Sequence, residues 1–307
     1  MITYNQLKHD IINLGVKPGD TILLRISYRA IGQTVGGPST FIQVLLDVIG
    51  ESGTIVSMGF PMPDTSSLFR IFHKKEFIMS PSKVGTGAIP MTMAHNEHSY
   101  VSTNTLFPYI AIGKHAKEIC SRHTDQSKPY DLIEDIAINY NAKRLRIGGD
   151  FLNGTTHIAF TKGLRLCNQY QKRYGIGLYT KQGKKYKWNE IRVSIFCYKG
   201  YKLFADQYLS QYIIRRGEIG NGEADLTDLK GILYKEDELI SKNPTILLCD
   251  DPYCWICRCS YSYSSQSLLA FTFTVIKGIH TKDITLNKGI HTILSAWKNV
   301  LFGIKAV

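Results

Sequence analysis

Long hydrophobic runs are missing from this sequence of 307 residues. A membrane-spanning helix needs about 20 consecutive apolar residues, and the sequence contains no such stretch. The N-terminal segment MITYNQLKHDIINLG also lacks the apolar core of a secretion signal. We therefore expect a cytoplasmic protein.

Cysteines are few, and linker-like segments rich in proline or serine do not occur. Of the seven cysteines, three stand alone in the chain, at Cys120, Cys167 and Cys197. This usage fits reduced thiols better than a disulfide framework. Hydrophobic residues make up 44% of the chain and charged residues 20%, which is typical of a globular protein with a sizeable core.

The first sixty residues predict a strand–helix–strand unit. Residues 3–15 have helical apolar spacing, and residues 16–27 contain a turn followed by a buried strand. A glycine-containing loop leads to a helix at 38–50, for which Ser39 or Thr40 is the expected N-cap, and then to a strand at 51–60. Such units favour an α/β fold with a mainly parallel central sheet flanked by helices.

The following segments extend this α/β pattern. Helices are predicted at 113–123 and 127–141, a short strand at 142–150, and a loop leading into a helix at 155–166. Val193, Ile195 and Cys197 alternate within 191–200, which predicts a strand of an added antiparallel region.

Acidic residues are scarce in the middle of the chain. Between Lys162 and Lys202, eleven Lys and Arg face a single acid, Glu190, within a protein of net charge +12. This segment is either a solvated basic hairpin or a surface that attracts an anionic ligand. Nucleic acid is not an expected partner, because no recognised nucleic-acid-binding motif is present.

Five segments together resemble the aminoglycoside 3-N-acetyltransferase family, whose members transfer acetyl from acetyl-CoA to an amine on a sugar ring. The similarity covers about residues 1–240, and it lies in PGDTILLRISYRAIGQTVGGPSTFIQVLLDVIGESGTIV (18–56), SPSKVGTGAIP (80–90), AIGKHAKEI (111–119), LRIGGDFLNGTTHIAF (145–160) and RRGEIGNGEADLTD (215–228). The resemblance implies an enzyme that modifies amino sugars.

The resemblance also implies a binding site for acetyl-CoA as co-substrate. Glycines between a strand and a helix serve either as a plain turn or as bare backbone that approaches a phosphate. We expect the second role, with charge-assisted bonds from arginines beside the loop. The expected coenzyme contacts are Arg25, Ser27, Arg29, Gly36, Gly37, Gly85 and Thr86.

For catalysis, the resemblance implies His157 as the general base and a glutamate that orients it. Glu223 is the preferred carboxylate, with Glu218 and Asp150 as alternatives. Thr155 and Thr156 are expected to stabilise the oxyanion, or to cap the following helix with their hydroxyl groups.

Some positions depart from the family pattern. The family usually has His-Ser-Ser where this chain has Arg25-Ile26-Ser27, and His-Pro-x-His-Ser near residues 104–108. The helix of the catalytic histidine usually continues to a glutamate, and Phe160 takes that place here. These changes leave open a non-catalytic member that binds a carbohydrate or a partner. The basic segment opposes a cationic aminoglycoside, so we expect an anionic, nucleotide-linked or polysaccharide amino sugar as acceptor.

The sequence LLCDDPYCWICRCSYSY holds Cys249, Cys254, Cys257 and Cys259. Four nearby thiols form either a zinc site or a local packing motif of reduced cysteines. Since all four lie in one short segment, we expect no metal in the protein, and zinc at these residues is the alternative.

The chain ends in an amphipathic pattern at 286–305 that predicts a helix. This helix is expected to dock on the core or on a second subunit in a homo-oligomer, and contact with a membrane surface is the alternative. We expect an acetyltransferase-like domain at 1–248 and a cysteine-containing C-terminal segment at 249–307 packed on it.

Overall fold

A computed structural model gives the fold of the chain. The structure describes residues 1–59, 86–104, 107–124, 126–128, 130–149, 155, 175–182, 185–192, 197–259 and 266–302.

Seven strands form one mixed sheet in the order β3-β4-β2-β1-β5-β9-β8. The three central strands β2, β1 and β5 are parallel, and the strands at both sides pair antiparallel. A separate hairpin is formed by β6 and β7. The strands are β1 Thr21–Ile26, β2 Thr54–Met58, β3 Tyr100–Val101, β4 Tyr109–Gly113, β5 Lys143–Ile147, β6 Gly175–Gln182, β7 Lys185–Arg192, β8 Ile213–Ile219 and β9 Gly222–Asp228. The predicted α/β class, with parallel central strands and an added antiparallel region, is confirmed.

Helices connect and flank these strands in the described parts of the chain. They are α1 Tyr4–Asn13, α2 Tyr28–Ile31, α3 Pro38–Ile49, α4 Ala88–Ala94, α5 Ala116–Arg122, α6 Asp131–Asn139, α7 Tyr198–Tyr208, α8 Leu229–Lys242, α9 Trp255–Cys259, α10 Leu268–His280 and α11 Leu286–Phe302, with short 3-10 helices at Leu209–Tyr212 and Pro244–Leu247. None of them is long and apolar enough to cross a bilayer.

One face of the sheet is covered by α1 and α3. Leu7 and Ile11 of α1 and Phe41, Val44 and Leu45 of α3 are buried in one cluster with the apolar side chains of β1 and β5. The i, i+3 and i+4 spacing of these residues places them on one side of each helix, so both helices bury an apolar stripe against the sheet.

The opposite face is covered by α5, α6 and the start of α8. Ile119, Ile133, Ile136 and Leu229 pack there with Leu23, which alternates along β1 with the residues of the first core. The sheet is therefore buried on both faces, which is the arrangement expected for parallel strands.

Two local expectations from the sequence are wrong. Helix α3 begins at Pro38, and its N-cap is Gly37 rather than Ser39 or Thr40; proline suits this first position because its missing N–H has no intrahelical partner there. The strand predicted within 191–200 holds only at its start, where residues 191–192 belong to β7; Cys197 is the N-cap of α7 and residues 198–200 are helical, while residues 193–196 lie outside the described residues.

The C-terminal part forms two further apolar clusters. Tyr201 and Phe204 of α7 pack with Ile240, Leu247 and residues of the cysteine segment. Helices α10 and α11 pack on each other around Phe271, Val275 and Ala296. The division of the chain at residue 248 and the docking of the last helix on a second subunit remain predictions.

Candidate active site

A cavity of about 280 Å³ opens at the carboxyl ends of the three parallel strands. Ligands of open α/β sheets bind at this edge, because the loops that follow parallel strands converge there. The cavity is lined by the end of β1, the end of β2, the loop after β5 and the start of α4. The lining residues are Leu24, Arg25, Ile26, Ser27, Ser57, Met58, Thr86, Ile89, Pro90, Gly148 and Gly149.

Two consecutive glycines form the wall that follows β5. Gly148 and Gly149 have φ of 57° and 67°, in the left-handed region that side chains disfavour. A Cβ on Gly148 would lie 2.5 Å from the Cβ of Ala30, so the loop also needs glycine for close packing. The Gly148 N–H donates to the carbonyl of Glu223 over 2.8 Å, which fixes the loop against β9.

Hydroxyl groups and one cation give the cavity its polarity. The Thr86 hydroxyl donates to the Met58 carbonyl over 2.7 Å, which ties the start of α4 to the end of β2. Ser27 and Ser57 line the cavity together with the half-buried Arg25. A guanidinium beside several hydroxyl groups is a suitable environment for a polar anionic ligand.

A row of side chains crosses the sheet beneath the cavity. Strand register places Tyr109, Met58, Arg25, Arg146 and Asp225 next to one another on β4, β2, β1, β5 and β9. Register partners project to the same face of a sheet. The row therefore sets two guanidinium groups and one carboxylate side by side at the edge where the cavity opens.

Asp225 holds two buried arginines on this face. Its carboxylate accepts a hydrogen bond of 2.8 Å from Arg144 and another from Arg146. The Asp225 and Arg144 side chains are only 2% and 0% exposed. Burial lowers the pKa of Arg144, and the charge of Asp225 opposes this effect. The carboxylate compensates the cost of keeping these guanidinium groups away from water.

The buried Tyr109 and the half-buried Tyr130 lie within electrostatic range of Arg25. Burial raises the pKa of Tyr109 well above its ordinary value and that of Tyr130 to about 12, and the charge of Arg25 lowers both values in part. Both phenols stay neutral at physiological pH, so they do not neutralise the guanidinium group.

The structure brings together some of the residues predicted to contact the coenzyme. Arg25, Ser27 and Thr86 line the cavity, whereas Gly36, Gly37 and Arg29 are not among its lining residues.

The loop with the two earlier glycines folds onto itself. The Gly37 N–H donates to the Thr34 carbonyl, and the Thr34 hydroxyl donates back to the Gly37 carbonyl over 2.9 Å. A Cβ on Gly36 would lie 2.3 Å from the Thr40 hydroxyl oxygen. These contacts explain the glycine pair as a tight entry to α3, and its predicted phosphate role remains a prediction.

The predicted catalytic residues lie partly inside the described chain. Glu223 is exposed on β9, directly opposite the exposed Glu218 of β8, and its backbone carbonyl contacts the cavity wall through Gly148. Thr155 is buried. His157, Thr156, Asp150 and Gly85 lie outside the described residues.

Sequence reasoning missed Gly148, Gly149 and Asp225. The glycine pair follows a strand in the segment LRIGGD, and this is the same signal that pointed to Gly36 and Gly37. Asp225 lies in a short acidic segment, and nothing in its local pattern indicates that it pairs with arginines of another strand.

The predicted cysteine set is wrong in one member. Cys249, Cys254 and Cys257 lie together, but the fourth thiol of the group belongs to Cys197. The Cys259 thiol instead donates to the Trp255 carbonyl one helical turn earlier.

The sheet and its cavity define an α/β protein with a polar ligand site at the carboxyl ends of parallel strands. The family model described as "Aminoglycoside 3-N-acetyltransferase" matches residues 23–239, so the chain belongs to this family.

Individual relatives agree with this assignment. The chain is 25% identical to aminoglycoside N(3)-acetyltransferase VIII of Streptomyces fradiae over 134 residues, which cover 40% of this chain and 47% of the relative. The chain thus matches about half the length of this curated relative. It is 24% identical to the prophage-derived aminoglycoside N(3')-acetyltransferase-like protein YokD of Bacillus subtilis (strain 168), over 74% of this chain and 88% of that protein.

Solved structures share the fold. The crystal structure of YokD from Bacillus subtilis superposes with a TM-score of 0.68 at 20% identity, covering 80% of this chain and 95% of that one. The structure titled "AAC-IIIb binary with CoASH" superposes with a TM-score of 0.65 at 19% identity, covering 78% and 96%.

Proposed function

We propose that this protein is an N-acetyltransferase that moves an acetyl group from acetyl-CoA to an amine of an amino sugar. The observation that carries the proposal is the cavity at the carboxyl ends of β1, β2 and β5, with Arg25, Ser27 and Thr86 in its wall. A guanidinium and hydroxyl groups suit the phosphates or the polar pantetheine arm of the coenzyme. Family membership and the coenzyme named with one structural neighbour support the same ligand.

The reaction needs a neutral amine and a stabilised oxyanion. The acceptor amine is protonated at neutral pH, so a general base must remove a proton before the nitrogen attacks the thioester carbonyl. The new C–N bond forms, the nitrogen loses a second proton, and the oxyanion of the tetrahedral intermediate collapses. The C–S bond then breaks, and the departing thiolate takes up a proton to leave as the coenzyme thiol. Hydrogen-bond donors at the oxyanion lower the barrier of this step.

His157 is the proposed base and Glu223 the proposed orienting carboxylate. The position of Glu223 supports its role, because its own carbonyl binds the N–H of the cavity residue Gly148 over 2.8 Å. A carboxylate near the base fixes the imidazole tautomer and stabilises the imidazolium that forms. Thr155 and Thr156 are the proposed oxyanion donors.

Aminoglycosides are the first acceptors to test, since the relatives are named for them. The basic segment supports a second candidate class, amino sugars that carry phosphate or carboxylate. Eleven cationic residues against one acid between Lys162 and Lys202 disfavour a polycation and favour an anion.

The test is release of coenzyme A thiol from acetyl-CoA in the presence of each acceptor class. We expect turnover with at least one class and a loss of about 10²–10⁴-fold in kcat for His157→Ala. His98→Ala is the matched control, because the His98 side chain is 79% exposed, and it should retain wild-type activity. Tight coenzyme binding without turnover of any amine would favour the non-catalytic alternative. An intact fold that binds no acetyl-CoA would refute the proposal.

A further inference from the structure

Four cysteine sulfurs meet at one point outside the active-site cavity. Their Sγ atoms all lie within 4.8 Å of one another, and those of Cys254 and Cys197 are 3.5 Å apart. The members are Cys197, Cys249, Cys254 and Cys257, which we call the thiol cluster. Four sulfurs at these distances have the ligand number and ligand type of a structural zinc site.

We propose that the thiol cluster binds one structural zinc ion. Zinc takes four thiolates in a tetrahedron with Zn–S distances of about 2.3 Å, which sets the sulfurs about 3.8 Å apart. The cluster lies close to this geometry, so binding requires only small rotations of the side chains. None of the residues proposed for acetyl transfer belongs to this site. Its role is to stabilise the fold.

The backbone around the cluster supports thiolate ligands. The Cys249 N–H points to the Cys257 sulfur over 3.3 Å. Such N–H···S contacts orient the ligands of a metal site and stabilise their negative charge.

Two cationic side chains lie beside the cluster. Lys199 pairs with Asp250 over 2.7 Å. Arg258 donates to the carbonyl of Asp251 over 3.0 Å and also to that of Cys249. Because Asp250 already offsets the charge of Lys199, it is the Arg258 guanidinium that reduces the excess negative charge that four thiolates around a dication carry.

Glycine at position 200 lets Cys197 approach the other three cysteines of the thiol cluster. A Cβ there would lie 2.2 Å from the Leu247 carbonyl oxygen and 3.0 Å from the Cys249 nitrogen. The first turn of α7 therefore packs directly on the chain that carries Cys249. This close packing of backbone brings Cys197 to three thiols that follow it much later in the sequence.

The cluster joins two parts of the chain. Cys197 lies within the family match at residues 23–239, whereas Cys249, Cys254 and Cys257 lie beyond it. A metal ion held by both parts would fix the segment after α8 onto the body of the protein. It would add to the apolar cluster around Tyr201, Phe204 and Leu247 and to the Lys199–Asp250 ion pair.

Elemental analysis of the purified full-length protein tests the proposal. We expect about one zinc per chain, a loss of most of that zinc in Cys197→Ser, and full retention in Cys259→Ser. The Cys259 variant is the matched control, because Cys259 is a buried cysteine of the same short helix as Cys257 but lies outside the cluster. Zinc lost from Cys259→Ser and kept by Cys197→Ser would overturn the ligand assignment.

X-ray absorption on the wild-type protein keeps the test independent of how the variants fold. The expected spectrum has four sulfur neighbours at about 2.3 Å from zinc. Nitrogen or oxygen neighbours, or iron in place of zinc, would refute the tetrathiolate zinc site. Protein that purifies without metal would refute the site as well. Thiol titration under denaturing conditions then shows whether the seven cysteines are free or joined in a disulfide.

Discussion

Replacing Asp225 with asparagine tests the charged row beneath the cavity. The substitution keeps the size of the side chain but removes the negative charge that Arg144 and Arg146 share. The Arg144 side chain is fully buried and that of Arg146 is 8% exposed, so water cannot replace the lost carboxylate. Breaking a buried ion pair on one side costs about 3–5 kcal/mol, and we expect Asp225→Asn to lower the free energy of unfolding by that amount.

Equilibrium unfolding in urea measures this cost, and Asp206→Asn is the control. Asp206 pairs with Lys202 over 2.9 Å, but both side chains are more than half exposed, so its loss should cost about 0–1 kcal/mol. If both substitutions cost the same small amount, Asp225 does not compensate the buried arginines and the electrostatic interpretation of the row is wrong.

Three further predictions concern the cavity and its surroundings. Arg25→Ala should raise the KM for acetyl-CoA roughly 10–100-fold through loss of a charge-assisted bond, whereas Arg29→Ala should change it little; equal effects in steady-state kinetics would contradict the assignment. The pKa of Tyr130 is about 12 in the folded protein and about 10 in an unfolded chain. Raising the pH from about 9 to about 11 should therefore lower the free energy of unfolding of the wild type by about 1 kcal/mol relative to Tyr130→Phe. Parallel pH profiles of the two proteins would contradict this prediction. Gly149→Ala should lower the free energy of unfolding by about 1–2 kcal/mol, because its backbone is left-handed. Gly148→Ala should cost about 1–3 kcal/mol more, because its new Cβ would meet Ala30. Denaturation experiments that rank the two variants the other way would refute this packing of the loop.

Local patterns were sufficient to predict the parallel centre of the sheet, but not its antiparallel strands β3, β4, β8 and β9. Apolar spacing located α1 through Leu7 and Ile11, and the strand–helix–strand unit around β1 and β2 follows from residues that are neighbours in sequence. These elements are set by periodicity and turn residues, which a single sequence displays.

Contacts between distant segments were not predictable in the same way. Asp225 meets Arg144 and Arg146 only because β9 pairs with β5, and Cys197 meets Cys257 only because α7 packs beside the later segment. Sequence spacing favoured Cys259, which is close to Cys257 in the chain but bonds to its own helix.

The glycines illustrate the same limit at the candidate site. Both glycine pairs come after a predicted strand, and the sequence does not distinguish Gly36-Gly37 from Gly148-Gly149; in the structure α2 lies between β1 and the first pair. The structure places only the second pair in the cavity wall, because β5 is a parallel neighbour of β1 and its loop turns toward Ser27.

A crystal structure of the protein with bound coenzyme A tests the central claim most directly. We expect the coenzyme in the cavity at the carboxyl ends of β1, β2 and β5, with a phosphate or its pantetheine arm in contact with Arg25 and the backbone of Gly148 or Gly149. Coenzyme bound elsewhere on the protein, with this cavity empty in the same crystal, would contradict the claim.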